Sequence, residues 1–425
     1  MSQTRNAQHD PNWADGAGRA LRDAQAGLRN ASGDARTAAL HAMADALAAA
    51  APDVLAANAR DVDAAKAAGL SGALVDRLVL DETRLAGIVD GIRAVARHPD
   101  PLGREITRWT RPNGLTIAQV RVPIGAIGVI FESRPNVAAD AAALCIRSGN
   151  AVVLRGGSDA AHSVSAIVRA LKSGLQAAGL SPDLITLPPD TSRAYVGDML
   201  AGMGGALDLV VPRGGKDLVA RVQKEARVPV LGHLDGLCHV YVDAQADPEM
   251  ARAIVLNSKM RRTGVCNAAE CVLVDKGAGE ALLKAIIADL QGAGCEVRGD
   301  ETARRAVPDI TPATPNDFDT EYLDAIVSLA VVDGVDGALQ HIGRHGSGHT
   351  EAIVTRNEET ARRFLQEVDA AVVMHNASTG FSDGGEFGFG AEIGIATGRI
   401  HARGPVGADQ LTSWKYQVLG SGQTR

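Results

Sequence analysis

The stretch Ile124-Gly-Ala-Ile-Gly-Val-Ile-Phe-Glu-Ser-Arg-Pro-Asn-Val137 reads as a strand, a loop and the start of a helix. Residues 124–130 are apolar or glycine and carry no charge, the text of a buried strand. Residues 132–136 are polar and include Pro135, so the chain leaves the sheet there; Val137 to Ser148 is Ala-rich and reads as a helix. The same unit then recurs, with strands expected at 151–154, 184–187, 207–211 and 228–231 and helices at 159–178, 192–202 and 215–226. Strands that alternate with crossover helices lie parallel, and such sheets bind ligands at their carboxyl edge. The expected fold class is therefore α/β with a parallel sheet and crossover helices.

Upstream, Asp15 to His98 is an Ala-rich helical section, with Leu85, Ile88, Ile92 and Val95 on one face behind the cap-like Asp81. Between Arg104 and Gln119 the text alternates and is split by Pro112-Asn113-Gly114, a turn between two strands. A polar hairpin of this kind needs a partner for its edge, and another subunit is the natural one. Downstream, a second α/β block runs from about Val240 to Asn376, with strands at 271–274 and 326–332 and helices at 279–291 and 358–367. The Gly-rich tail returns to strand-like text near Gly398 to His401 and is expected to pair with the hairpin, joining two distant segments in a small subunit-bridging unit.

A chain of 425 residues exceeds one compact core, which leaves two domains or one large domain with an appendage. Aromatics are only 3% of the chain against 47 glycines, the composition of an α/β protein built on small aliphatic side chains. The net charge of −7 is spread among interspersed signs, which argues against a nucleic-acid surface while leaving room for local arginine clusters to hold an anionic metabolite. The first eighteen residues are polar and no uncharged stretch reaches membrane-spanning length, so neither a secretory signal nor a membrane anchor is expected and the location expected is cytoplasmic. Five cysteines without a CxxC pair imply free thiols. A zinc site from Cys238, His239 and Cys266 has the wrong spacing, and no metal is expected.

Chemistry concentrates in Lys259-Met-Arg-Arg-Thr-Gly-Val-Cys-Asn-Ala-Ala-Glu270, where a lysine and two arginines come within seven residues of the Cys266 thiol. Cationic neighbours favour the thiolate, so Cys266 is the candidate nucleophile, whereas Cys145, Cys238, Cys271 and Cys295 read as packing residues. No GxGxxG occurs. Two strand-to-helix turns, Leu154-Arg-Gly-Gly-Ser-Asp159 and Val211-Pro-Arg-Gly-Gly-Lys216, still suit a phosphate, because glycine lets backbone N–H groups approach an anion. Ordinary βα turns with exposed arginines remain the alternative. Asn136 is either an oxyanion donor, paired with the backbone N–H of Cys266, or the cap of the helix that follows it.

The stretch quoted at the outset, with Ser148-Gly-Asn-Ala-Val-Val-Leu-Arg-Gly-Gly-Ser158, Leu231-Gly-His-Leu-Asp-Gly236, Cys238-His-Val-Tyr-Val-Asp243 and Val265-Cys-Asn-Ala-Ala-Glu270, resembles the gamma-glutamyl phosphate reductases (glutamate-5-semialdehyde dehydrogenases) of the aldehyde dehydrogenase superfamily. The resemblance spans roughly residues 15 to 420. It implies a Rossmann-type, parallel-sheet NADP-binding domain at 1–103 and 122–239, a catalytic domain at 240–395 and an oligomerisation arm at 104–121 and 396–425. It further implies NADPH-dependent reduction of L-glutamate 5-phosphate to the 5-semialdehyde and phosphate through a cysteinyl thioester, in proline biosynthesis. The expected assembly is a homodimer or homotetramer, with functional coupling to glutamate 5-kinase.

Carried over residue by residue, Cys266 matches the catalytic thiol and Asn136 the oxyanion asparagine. Arg155 and Ser158 resemble the adenosine-ribose and phosphate position, Gly214 and Gly215 the turn beside the pyrophosphate, and Glu321 the glutamate on the nicotinamide ribose. The run Asn376-Ala-Ser-Thr-Gly-Phe-Ser-Asp383 with Phe387-Gly-Phe-Gly-Ala-Glu392 looks like the substrate-side loop. Arg134, Lys259 and Arg262 are candidates for the substrate's phosphate and α-carboxylate, with surface ion pairing as the alternative. Oxidising relatives carry a Glu-Leu-Gly-Gly base segment that here reads His233-Leu-Asp-Gly236. Loss of that base favours reduction over thioester hydrolysis. A smaller departure is Cys271, where threonine is expected in many relatives. Two readings from other classes are a cysteine hydrolase using His233, His239 or His349 as base, and a non-catalytic anion-binding scaffold.

Overall fold

The computed structural model describes residues 9–425, so the polar opening of the chain lies partly outside the described residues. Two units result: the described residues up to Gly232 with Gly388–Gly394 and Val406–Arg425, and a second of His233–Phe387 with Ile395–Pro405.

The first unit opens with the helices Trp13–Asn30, Gly33–Ala49, Ala51–Ala67, Gly72–Leu78 and Glu82–Arg97. Asp81 caps the last of these, accepting from Arg84 N at 2.7 Å, and Leu85, Ile88, Ile92 and Val95 are buried as their spacing requires. Strands β1 (Glu105–Thr110) and β2 (Thr116–Pro123) form the antiparallel hairpin, with Gly114 in the left-handed region at φ 85°. Strands β3 (Ala126–Phe131), β4 (Ala151–Arg155), β5 (Ile185–Thr186) and β6 (Leu209–Arg213) form a parallel sheet in the order β5-β4-β3-β6. Its helices are Asn136–Arg147, Ala161–Ala177, Ala194–Leu200 and Lys216–Glu225. Small side chains let these layers close up: a Cβ on Gly174 of helix Ala161–Ala177 would lie 2.5 Å from Met43 Cα of helix Gly33–Ala49.

Two strands expected from sequence do not form. Residues 228–231 contribute only a single bridge, Val210 to Val230, because Pro229 has no N–H to continue a ladder. Gly398 to His401 bends without pairing: its one large apolar residue, Ile400, is half exposed and has no face to bury. The tail does pair with the hairpin, but through Thr412–Leu419, which runs antiparallel to β2 and completes a three-stranded sheet.

The second unit is built on a seven-stranded parallel sheet in the order β10-β9-β11-β8-β7-β12-β13, comprising β7 (Cys238–Val242), β8 (Ala269–Asp275), β9 (Glu296–Gly299), β10 (Thr311–Pro312), β11 (Ile326–Val332), β12 (Thr350–Val354) and β13 (Val372–His375). Alternate residues serve opposite faces. Val240, Val242, Val272 and Val274 pack with Leu283, Ile286 and Leu290 of helix Glu280–Gly292. Tyr241, Leu273 and Ile353 pack on the other face with Ala338 and Ile342 of helix Gly334–His345. Among the described residues, no single helix is long and apolar enough to cross a membrane.

Candidate active site

In the first unit the predicted residues gather at the carboxyl ends of β3, β4 and β6. Beyond β3 the chain turns through Ser133, held in the left-handed region at φ 43° with its hydroxyl donating to Asp159. The half-buried Arg134 follows, then Pro135 at the N-cap position and Asn136 as the first helical residue. Asn136 is thus not the helix cap: its Nδ2 donates to Asp140 Oδ2 at 3.0 Å, one turn on. Burial pushes the Asp140 carboxyl up from 3.8 to about 6, against the Asn136 hydrogen bond that lowers it.

Gly214 and Gly215 form the turn after β6. A Cβ on Gly214 would lie 2.5 Å from Glu132 Oε2, and Gly215 N donates to that oxygen at 3.0 Å, so a carboxylate already faces the start of helix Lys216–Glu225. Arg155 ends β4; it donates to Gly156 O at 2.8 Å and Thr191 O at 2.7 Å, while its buried Nε lacks a partner. Arg155, Gly156 and Gly157 border a cavity of 610 Å³ whose wall also carries Arg60, His162 and Arg169. Ser158 is exposed at the start of a short 3-10 turn and is not part of that wall. A cavity of this volume with glycines at its edge and three guanidinium groups around it suits an anionic, phosphate-bearing ligand. Arg60 and Arg169 were missed from sequence, since they lie on helices with no motif around them.

In the second unit, Cys266 sits half-buried in the turn between helix Pro248–Met260 and β8. Gly236 packs directly against it: a Cβ there would lie 2.3 Å from Cys266 O and 2.8 Å from its Cα. Gly236 N in turn donates to Glu321 Oε1 at 3.0 Å, which ties Glu321 to the same spot. Cys238 Sγ donates to Cys266 O at 3.2 Å, and Asn267 Nδ2 reaches Ser382 O at 3.0 Å. Burial pushes the Cys238 thiol well up, so it stays protonated as a donor.

Two imidazoles approach Cys266. One ligating atom each of His233, Cys266 and His349 lies within 4.8 Å of the others, and the two rings meet edge to face at 5.0 Å. His233 Nδ1 is 2.7 Å from Ile395 O; His349 is fully buried, with Nδ1 2.9 Å from Thr350 Oγ1 and Nε2 unpartnered. Of the cationic candidates, Arg262 is exposed whereas Lys259 is fully buried, its Nζ 2.5 Å from Glu270 Oε2. Burial pushes the Glu270 carboxyl up to about 7, with Lys259 pulling the other way. Sequence spacing to Cys266 did not reveal that Lys259 points inward to a strand residue.

A sequence profile of the aldehyde dehydrogenase family matches residues 4–303. The fold recurs in an acetylating aldehyde dehydrogenase from Geobacillus thermoglucosidasius, with a TM-score of 0.70 at 17% identity over 97% of each chain. Within the aldehyde dehydrogenase family the chain belongs to the gamma-glutamyl phosphate reductases. It is 56% identical to that of Brucella suis biovar 1 (96% of this chain, 97% of the relative) and 59% identical to that of Hyphomonas neptunium (96% and 95%). The crystal structure of the Thermotoga maritima gamma-glutamyl phosphate reductase matches with a TM-score of 0.94 at 43% identity, covering 97% of this chain and 99% of that one.

Proposed function

We infer that the chain reduces L-glutamate 5-phosphate to L-glutamate 5-semialdehyde and phosphate, the second step of proline biosynthesis from glutamate. The observation that carries this reading is the Cys266 turn, a half-buried thiol seated on Gly236, with one donor atom each of His233 and His349 within 4.8 Å of its sulfur. His233 or His349 takes the thiol proton, and the thiolate attacks the acyl carbon. The Asn136 amide and the backbone N–H of Cys266 are assigned to the oxyanion. Phosphate leaves, and a thioester on Cys266 remains. After reduction the thiohemiacetal collapses, expelling the thiolate and freeing the aldehyde.

A nicotinamide cofactor supplies the hydride, and NADPH is the form proposed. Arg155 and the glycines beside it would hold its adenosine end, with Ser158 at the rim, Gly214 and Gly215 beside the pyrophosphate, and Glu321 toward the nicotinamide ribose. The substrate's phosphate and α-carboxylate are assigned to Arg134 and Arg262. Lys259 is committed to Glu270 and acts at one remove, anchoring the strand that follows the nucleophile.

The first unit is assigned to cofactor binding and the second to catalysis. The three-stranded sheet of β1, β2 and Thr412–Leu419 exposes Ile106, Trp109, Trp414, Tyr416, Val418 and Leu419, and is assigned as the arm that joins copies into a homodimer or homotetramer. A cytoplasmic location and coupling to glutamate 5-kinase belong to the same proposal. The test is the reverse assay: glutamate semialdehyde and NADP should give NADPH only when phosphate is added. An equal rate without phosphate would mean that water releases the acyl group, and the acyl-phosphate assignment would be abandoned.

A further inference from the structure

A second group of soft donor atoms stands on the sheet of the second unit, apart from the residues assigned to the reaction. His239 of β7 and Cys271 of β8 are register partners on neighbouring parallel strands, so both side chains leave the same face. That face packs against helix Gly334–His345, which brings His341 onto the pair. Cys271 Sγ lies 3.7 Å from His341 Nε2, and the His239 and His341 rings are 5.6 Å apart. One donor atom from each of the three residues falls within 4.8 Å of the other two.

The orientation of His239 is imposed from its other side. Glu351 of β12 is its register partner there, and Glu351 Oε2 lies 2.8 Å from Nδ1 and accepts from His239 N at 3.0 Å. The ring is thereby fixed with Nε2 away from the carboxylate, toward the thiol and the second imidazole. This Nε2 is buried without a hydrogen-bond partner in a residue with 0% exposure. A sealed ring nitrogen with nothing to bond is an uncommon state for a native core. A metal ion placed between the three donors would displace any proton on this nitrogen and bind it instead.

We propose that His239, Cys271 and His341 form a binding site for a thiophilic divalent cation, Zn2+ by preference, with water in the fourth position. Tetrahedral zinc holds thiolate at about 2.3 Å and imidazole at about 2.0–2.1 Å, which sets sulfur and nitrogen about 3.6 Å apart. The 3.7 Å between Cys271 and His341 already has that spacing. The carboxylate behind His239 is the usual outer partner of a metal-bound imidazole. The bound ion ties β7 and β8 to the covering helix. The proposal is independent of the reductase assignment, because none of its residues takes part in that reaction.

The test uses the full chain, stripped with a chelator and titrated with Co2+ as a probe for Zn2+ at about pH 8, where a ring proton gives way more readily to metal. One equivalent should bind with a thiolate-to-cobalt charge-transfer band, be displaced by Zn2+ and raise the melting temperature. The band should survive Cys266→Ser and vanish in Cys271→Ser. Affinity should fall about 100-fold or more in His341→Ala and about 10- to 100-fold in Glu351→Gln. His341 is only half-buried, so His341→Ala decides the matter should the strand variant fail to fold. A titration without the charge-transfer band overturns the proposal. So does a band lost in Cys266→Ser and kept in Cys271→Ser, which would place the ion on His233, Cys266 and His349 instead.

Discussion

Gly236→Ala probes the seat of Cys266, the proposed nucleophile, without altering the thiol itself. The added Cβ would lie 2.3 Å from Cys266 O and 2.8 Å from Cys266 Cα and Cβ, and the atoms it meets are largely backbone. Backbone cannot swing aside like the end of a side chain, so relief requires the Cys266 turn to retreat. Restoring an ordinary contact moves it by about 1 Å, and a misplacement of that size costs about 100-fold in rate, or about 2.7 kcal/mol of activation free energy. The φ of Gly236 lies outside the left-handed region, so the loss would come from the contact rather than from backbone strain. The assay is kcat for NADPH oxidation with acyl phosphate, beside a thermal melt showing that the fold persists. A folded variant with kcat within threefold of the parent would refute the argument that Gly236 sets the position of the thiol.

Cys266→Ser should abolish turnover by about 10⁴-fold or more while nicotinamide-cofactor binding, read by calorimetry, survives. Asn136→Ala should lower kcat by about 10²–10³-fold with little change in KM, as for loss of one oxyanion donor. Lys259→Met leaves Glu270 without its buried partner and should cost about 3–5 kcal/mol in urea denaturation. The deficit should shrink as pH falls, because burial already holds the Glu270 carboxyl up at about 7 and a proton can replace the lost charge. Asp140 has a folded pKa of about 6, above its ordinary 3.8, so the native state binds the extra proton and stability falls as pH rises through that interval. Asp140→Asn should therefore raise the melting temperature at neutral pH and leave it nearly unchanged near pH 4; a gain of equal size at both would contradict the burial argument.

The alternation of strand and helix from Ile124 to Glu225 could be read in the sequence because each element states its own periodicity, and strand 326–332 and helix 358–367 were legible to the residue. Cys266 was singled out by cations that are its chain neighbours, although the structure commits Lys259 to Glu270 and leaves Arg262 exposed. Residues 228–231 and 398–401 were misread where short apolar text met a proline or had no face to bury. The alternation in Thr412–Leu419 was overlooked although it ends on exposed aromatics and aliphatics.

By itself, then, the sequence determined the α/β class and the parallel sheets, which follow from local spacing, and marked Cys266 as the candidate thiol. Tertiary structure alone decided which distant residues meet. It set Gly236 against Cys266, turned Lys259 inward to Glu270, brought His233 and His349 to the thiol, and ranged Cys271, His239 and Glu351 across three strands. For the last of these the physical reason is strand register: a shift of one residue would send Cys271, His239 and Glu351 to the opposite face, and the order in which β8, β7 and β12 lie side by side is written in no single segment of the chain.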